Sequence, residues 1–276
     1  MDRTNIIEQL SIPCDLVVLD EVDSTNDTLK RLGIQKDTRQ LTMPLVVIAE
    51  SQSAGKGRLG RTWTSPRGGV YLSLLVCLRV PGERLGALSL VVACAIRKAL
   101  CELVSANFSP ADSSLVRLGI KWPNDIVARQ GDRSGKLVGI LIETGNSPEQ
   151  VVIGVGINVL RSGDDAGGAD GRAFYLSDIA TGVSRETAAA YVINEIAAYL
   201  LCWEEHSFSF KPFKAEYMQH LTLKNEEVIV RHIDGSIIAQ GVVQGIDDQG
   251  HLLVLDPSSG NGAQSITAGD VTLRDI

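Results

Sequence analysis

Ser53-Ala54-Gly55-Lys56-Gly57-Arg58-Leu59-Gly60-Arg61 decides the fold, together with Trp63 and the turn Ser65-Pro66-Arg67-Gly68-Gly69 behind it. Three glycines and three cations fall within residues 55–61, with an apolar run before them at 45–49 and another after them at 70–78. A glycine-rich cationic loop between two strands can hold a phosphate or a carboxylate. Backbone N–H groups approach the anion where no side chain blocks them, and Lys56, Arg58 and Arg61 supply charge. Residues 55–60 also satisfy G-x-G-x-x-G, the dinucleotide fingerprint, which requires a helix to start inside the motif. Here the motif runs into Arg61-Thr62-Trp63-Thr64-Ser65-Pro66, where Pro66 biases Ser65 away from helix, and a strand pattern follows. That excludes a Rossmann turn. No Walker A signature occurs anywhere in the chain.

A length of 276 residues accommodates one full-sized domain and a small one. With 44% hydrophobic and 21% charged residues, the chain reads as soluble and globular. The net charge of −7 argues against general nucleic-acid binding, and clustered cations suit a small anionic ligand better. Five cysteines, an odd number without C-x-x-C spacing, read as reduced core residues rather than a zinc site or a disulfide framework. Neither a signal peptide nor a membrane-length apolar run is visible, so a cytoplasmic setting is expected.

Along the chain, residues 1–13 read as a short leader and Asp15–Val22 as a strand. Asp23-Ser24-Thr25-Asn26-Asp27 offers N-cap residues for a helix beginning near Ser24. Ser24 and Thr25 there can cap the helix, hold an anion, or do both. Leucine, valine and alanine recur at helical spacing over residues 84–105, a core helix. Residues 110–114 read as loop and 115–120 as a strand ending in Lys121-Trp122-Pro123-Asn124-Asp125, where Asn124 and Asp125 can coordinate a cation or fix a neighbouring loop. A polar loop is expected at 130–134, then a strand at 135–143 whose strict alternation places Lys136 in one row with Val138, Ile140 and Ile142. In residues 151–159 every odd position is β-branched, while Gly154, Gly156 and Asn158 lie on the other face. Glycines paired on one strand face imply close approach by a ligand or by a packed helix. A flexible loop is expected at 161–172, and helices at 185–206 and 211–223. From residue 225 short strands alternate with Asp234-Gly235 and Asp247-Asp248-Gln249-Gly250 turns, and a final strand ends at Arg274. The fold class is therefore α+β, a mixed sheet packed with helices plus a small C-terminal β-barrel, with domains at 1–223 and 224–276.

Taken in order, Asp23-Ser24-Thr25-Asn26, the Gln52 to Trp63 loop, Lys121-Trp122-Pro123-Asn124-Asp125, Lys136-Leu137-Val138-Gly139-Ile140-Leu141 and Gly154-Val155-Gly156-Ile157-Asn158 resemble the biotin protein ligases over nearly the whole chain. The resemblance implies a catalytic domain like those of class II synthetases and an SH3-like barrel. It also implies condensation of biotin with ATP to biotinyl-5′-AMP, transfer to a lysine of a biotin carboxyl carrier protein, and Mg²⁺. Such chemistry needs no enzyme nucleophile, only positioning and charge neutralisation. By resemblance Ser24, Thr25, Asn26, Gln52, Gly55, Lys56 and Gly139 hold biotin, with Arg58 and Lys136 at its carboxylate and the adenylate phosphate. Arg61, Trp63, Asn124, Asn158 and Arg274 serve the nucleotide, and Asp125 the nucleotide or its metal. The catalytic cations are Lys56, Arg58, Arg61 and Lys136; Lys56 stands where the family usually has Arg. The fourteen residues before the first strand are too few for the winged-helix module of some members, so no DNA binding is expected. Some members dimerise through a sheet edge, which admits a homodimer. The rivals are a lipoate ligase, whose Arg-Arg-x-x-Gly-Gly-Gly motif is absent here, and a non-catalytic biotin-binding module.

Overall fold

Strands rich in β-branched residues form the frame of this computed structural model, which describes residues 1–34, 44–107, 116–161, 173–260 and 262–273. β1 (Asp15–Val22) is followed by helix α2 (Thr25–Ile34) and by β2 (Leu45–Gln52), which lies parallel to β1. β3 (Val70–Cys77), β4 (Val116–Lys121), β5 (Asp125–Gln130), β6 (Arg133–Thr144) and β7 (Gln150–Ile157) complete a seven-stranded sheet of order β1-β2-β3-β7-β6-β5-β4. All of its pairings but the first are antiparallel.

The two faces of this sheet have different tasks. On one, Val46, Ile48, Leu72, Leu74, Ile153, Val155 and Ile157 bury against helices α3 (Leu88–Ala106) and α4 (Arg185–Glu205). Each such side chain contributes about 1.5–3 kcal/mol of burial. A 3₁₀ turn at Gly82–Ala87 leads into α3. On the other face α2 covers only one end, where Leu29 packs on Leu45, Val47, Leu75 and Val152. Beyond α2 that face carries Ser73, Gly139, Gly154 and Gly156, side chains too short to bury anything, and the resulting hollow is the candidate site.

Several elements depart from the sequence expectation. The leader contains a five-residue helix, α1 (Arg3–Ile7), capped by the Asp2 carboxylate and held by burial of Ile6. The loop expected at 130–134 is a tight hairpin: Gln130 pairs with Arg133, and Gly131 turns the chain at φ +59°. Polar residues there are strand ends exposed to water. Strict alternation also fails in β6. Ile126 pairs with Val138 and Val127 with Lys136, so Leu137 is an extra residue. Such a bulge re-aims the side chains around it. Lys136 leaves the row of Val138, Ile140 and Ile142 and shares the hollow with Gly139, where its Cε would lie 3.2 Å from an added Cβ. The loops expected at 110–114 and 162–172, and the strand end at Arg274, lie outside the described residues.

α5 (Lys211–His220) takes Pro212 in its first turn, where proline costs nothing, and leads to the second sheet. β8 (Glu227–Arg231), β9 (Ile237–Ile246), β10 (Leu252–Leu255), β11 (Gln264–Ile266) and β12 (Asp270–Leu273) form a five-stranded antiparallel sheet of order β11-β10-β9-β8-β12. The single final strand expected there is two short ones. The turn between β4 and β5 touches this sheet's end through the Trp122 indole N–H, which donates to Gly250 O at 3.0 Å, and α5 through Lys214, paired with Asp248 at 2.7 Å.

Candidate active site

The cationic loop spans the open end of the hollow. Its backbone makes no α-helix, only a 3₁₀ turn at Arg58–Gly60 in which Leu59 and Gly60 take left-handed φ of 57° and 73°, and the chain doubles back so that Trp63 N donates to Gly55 O at 2.9 Å. Gly55 is required at that crossing, since a Cβ would stand 2.3 Å from Trp63 O. The Trp63 indole then lies on the glycine floor. An added Cβ would meet it at 2.5 Å from Gly156 and 2.8 Å from Gly139. Gly154 is filled in the same way by Asn26 of α2, at 2.4 Å. The close approach signalled by these glycines is thus made first by the protein itself. Trp63 Nε1 is buried and has no hydrogen-bond partner among the described residues.

The cations of this region are not equivalent. Lys56 bonds Asp27 of α2 at 2.6 Å; that contact raises its pKa and ties the loop to the helix. Arg61 reaches away from the hollow to Asp270 on β12, also at 2.6 Å. Burial works to raise the Asp270 carboxyl, yet the Arg61 bond and the neighbouring cations bring it below its ordinary value. Lys136 pairs with Asp125 at 2.8 Å and lies 5.0 Å from the Trp63 ring centre, a cation–π distance. Arg58 is different. It points inward, half-buried, and donates to the neutral Asn124 Oδ1 at 3.1 Å, while Asn124 in turn donates to Ile140 O. Among the described residues Arg58 forms no ion pair; burial lowers its pKa, and the more distant charges of Asp125 and Asp270 oppose that effect. A half-buried guanidinium held by an amide keeps its charge available for an incoming anion.

Behind these cations the floor is polar. Thr25 N–H donates to Gln52 Oε1 at 2.8 Å, and Gln52 Nε2 to Ser65 Oγ at 2.8 Å. Ser73 Oγ lies 2.8 Å from Thr25 Oγ1 and 2.6 Å from Asn26 Oδ1. Asn26 Nδ2 donates to Glu143 Oε2 at 2.6 Å.

Ser24, Thr25, Asn26, Gln52, Lys56, Arg58, Trp63, Asn124, Lys136 and Gly139 all line one cavity, as the sequence motifs imply. Arg61 does not. Asn158 stands behind the cavity, its amide holding Lys136 O at 3.0 Å and so bracing the bulge. Asp125 is engaged with Lys136, and Arg274 lies outside the described residues. Sequence reasoning missed Ser73 and Glu143 as parts of the floor. Ser73 carried a signal, as the lone polar residue before Cys77 in an apolar strand. The cavity offers about 50 Å³, room for a water or two, beneath Trp63 and its loop. A second depression of about 420 Å³ adjoins it, sharing Arg58 and Ile140 and reaching Trp122 and His251.

Residues 18–158 match the biotin/lipoate A/B protein ligase family, and residues 225–274 match the biotin protein ligase C terminal domain. The chain belongs to the biotin/lipoate A/B protein ligase family. Within it, a biotin–[acetyl-CoA-carboxylase] ligase of Paracoccus denitrificans is 30% identical over 92% of this chain and 98% of its own. One of the same name from Mycobacterium tuberculosis is 32% identical over 93% and 88%. The biotin protein ligase of Aquifex aeolicus, solved in complex with biotin and ATP, superposes with a TM-score of 0.73 at 28% identity, covering 94% of this ligase-family chain and 98% of that one. No helix among the described residues is long and apolar enough to cross a membrane.

Proposed function

We propose that this protein is a biotin protein ligase, activating biotin with ATP to biotinyl-5′-AMP and passing the biotinyl group to a lysine of a biotin carboxyl carrier protein. One observation supports this above the others: a half-buried Arg58 with only a neutral partner, set beside Lys136 and Trp63 over a floor of glycine and hydrogen-bonding side chains. The floor suits the polar ring head of biotin, and the cations suit its carboxylate.

In the first step a biotin carboxylate oxygen attacks the α-phosphorus of ATP, and the bond to the leaving pyrophosphate breaks. Arg58 and Lys136 neutralise charge on the oxygens around that phosphorus, each worth about 2–4 kcal/mol by analogy with oxyanion donors. Asn124 keeps the Arg58 fork in place, and the Asn158 amide keeps the bulge that aims Lys136. In the second step the carrier lysine amine attacks the acyl carbon of the mixed anhydride and AMP leaves. The larger depression beside Arg58 offers that lysine a route. Trp63 and the loop around it keep water from the anhydride.

Magnesium would enter with ATP as its counter-ion. Asp125 pairs with Lys136 at 2.8 Å and stands beside the nucleotide side of the site, where it would serve ATP or its metal. The proposal sets the enzyme in the cytoplasm, as a monomer or a homodimer, without nucleic acid. Transfer of labelled biotin to a carrier domain, with Mg·ATP, tests it. Wild-type transfer that is lost in Arg58→Ala and Lys136→Ala supports the reading; biotin binding without pyrophosphate release overturns it.

A further inference from the structure

The polar floor continues beyond the residues that line the cavity. Lys30 of α2 pairs with Glu143 Oε1 at 3.0 Å, while Glu143 Oε2 accepts from Asn26. The hydrogen-bond chain then runs through Ser73, Thr25, Gln52 and Ser65, which donates to Trp63 O at 3.0 Å. It links the outer face of α2 to the loop over the cavity. Neither Lys30 nor Glu143 lines the cavity.

Such a chain has a direction, and its starting group sets it. A carboxylate paired with a lysine only accepts, so the Asn26 amide must turn Nδ2 to Glu143 and Oδ1 to Ser73. At 2.6 Å from Oδ1, Ser73 spends its single proton there. Its 2.8 Å contact with Thr25 Oγ1 can then be a hydrogen bond only if Thr25 is the donor. The alternative acceptor for that proton, Gln52 Oε1 at 3.1 Å, also belongs to the protein. In either case the Thr25 hydroxyl turns its hydrogen inward and presents lone pairs to the cavity.

We infer that Glu143, seated by Lys30, is a positioning residue that fixes Thr25 as an acceptor and so selects a ligand carrying an N–H at that point. Resting on the proposed function, this identifies one urea N–H of the biotin ring head as the group read by Thr25. Replacing the carboxylate with an amide leaves the shape but removes the constraint. A glutamine can donate to Asn26 or accept from it, the chain can run either way, and Ser73 can then donate to Thr25.

The test compares wild type, Glu143→Gln and Lys30→Met in biotin-dependent pyrophosphate exchange. The substrates are biotin and two analogues, each methylated at one of the two urea nitrogens. Glu143→Gln should raise the KM for biotin about tenfold, the worth of one hydrogen bond, with kcat and the KM for ATP unchanged. For the analogue that lacks the hydrogen read by Thr25, the KM should not respond, so the analogue-to-biotin ratio falls by the same factor. Lys30→Met, remote from the cavity, should move that ratio in the same direction. A general loosening of the floor would raise all three KM values together and leave the ratios intact, and that result overturns the inference, as does an unchanged KM for biotin. A wild type without exchange activity instead overturns the ligase assignment, so the two failures are distinct.

Discussion

Gly156→Ala is the most direct test of how the cavity is built. The new methyl would stand 2.5 Å from Trp63 Nε1 and 2.6 Å from Cε2, so the indole must retreat by about 0.9 Å to regain a 3.4 Å contact. It cannot slide along the sheet, because the neighbouring Gly139 already lies close beneath it, so it lifts into the cavity. Overpacking of this kind costs about 1–3 kcal/mol, which for a chain of this size lowers Tm by about 2–10 °C. The catalytic cost is larger. A misplacement of about 1 Å next to the reacting groups can cost about a hundredfold in rate. Thermal unfolding and pyrophosphate exchange should therefore separate, with a modest loss in the first and a loss of about two decades in the second. Gly82→Ala is the control, since nothing lies within 4 Å of that position. Wild-type exchange by Gly156→Ala would refute the idea that the glycine floor seats the indole.

Three other outcomes follow from the same geometry. Arg58→Met should cut adenylate formation by about 30- to 1,000-fold while leaving Tm unchanged or raised, because a half-buried cation without an ion pair serves catalysis and not folding; stopped-flow exchange and calorimetry measure the two. Ser73→Ala should cost about 1–3 kcal/mol in urea unfolding, because the buried Thr25 and Asn26 lose a shared partner. The Arg61–Asp270 link has a defined pH sense. Its carboxyl is held below the ordinary value, so the stabilisation is fully present above about pH 4 and is lost as pH falls through the lowered value. Protection factors of the loop amides, exchange rates taken relative to the intrinsic rate at each pH, should stay flat from neutrality to about pH 5, and Asp270→Asn should reproduce at neutral pH the lower protection seen in acid.

Much of this was legible in the sequence because the decisive residues announce themselves by type. The β-branched odd positions of residues 151–157 mark a packing face, and the intervening glycines mark a face that a ligand or a packed element approaches closely. The rejected dinucleotide turn was legible from Pro66 alone. What escaped was set by partners distant in the chain. Nothing local says that Asp27 will take Lys56 or that Asp270 will draw Arg61 out of the cavity. Ser73 shows in the sequence only as a polar residue within an apolar strand; its partners Thr25 and Asn26 are brought to it by the fold. The row assignment of Lys136 failed for a different reason: period two assumes an unbroken ladder, and one extra residue resets the count.

That extra residue, Leu137, bears on anyone who would redesign this sheet. Deleting it would leave a tidier strand, with every residue of β6 matched to its neighbour and the apolar face uninterrupted. It would leave Lys136 opposite Val127 on the hollow face, but it would remove the fully buried Leu137 side chain from the layer under α3 and α4, and with it Leu137 O, which accepts from Asn158 N–H at 3.0 Å. A regularised version of this protein would be easier to draw and would keep its cation, yet lose a core side chain and one anchor of Asn158, because here a single residue outside the ladder ties the packing layer to the strand beside the hollow.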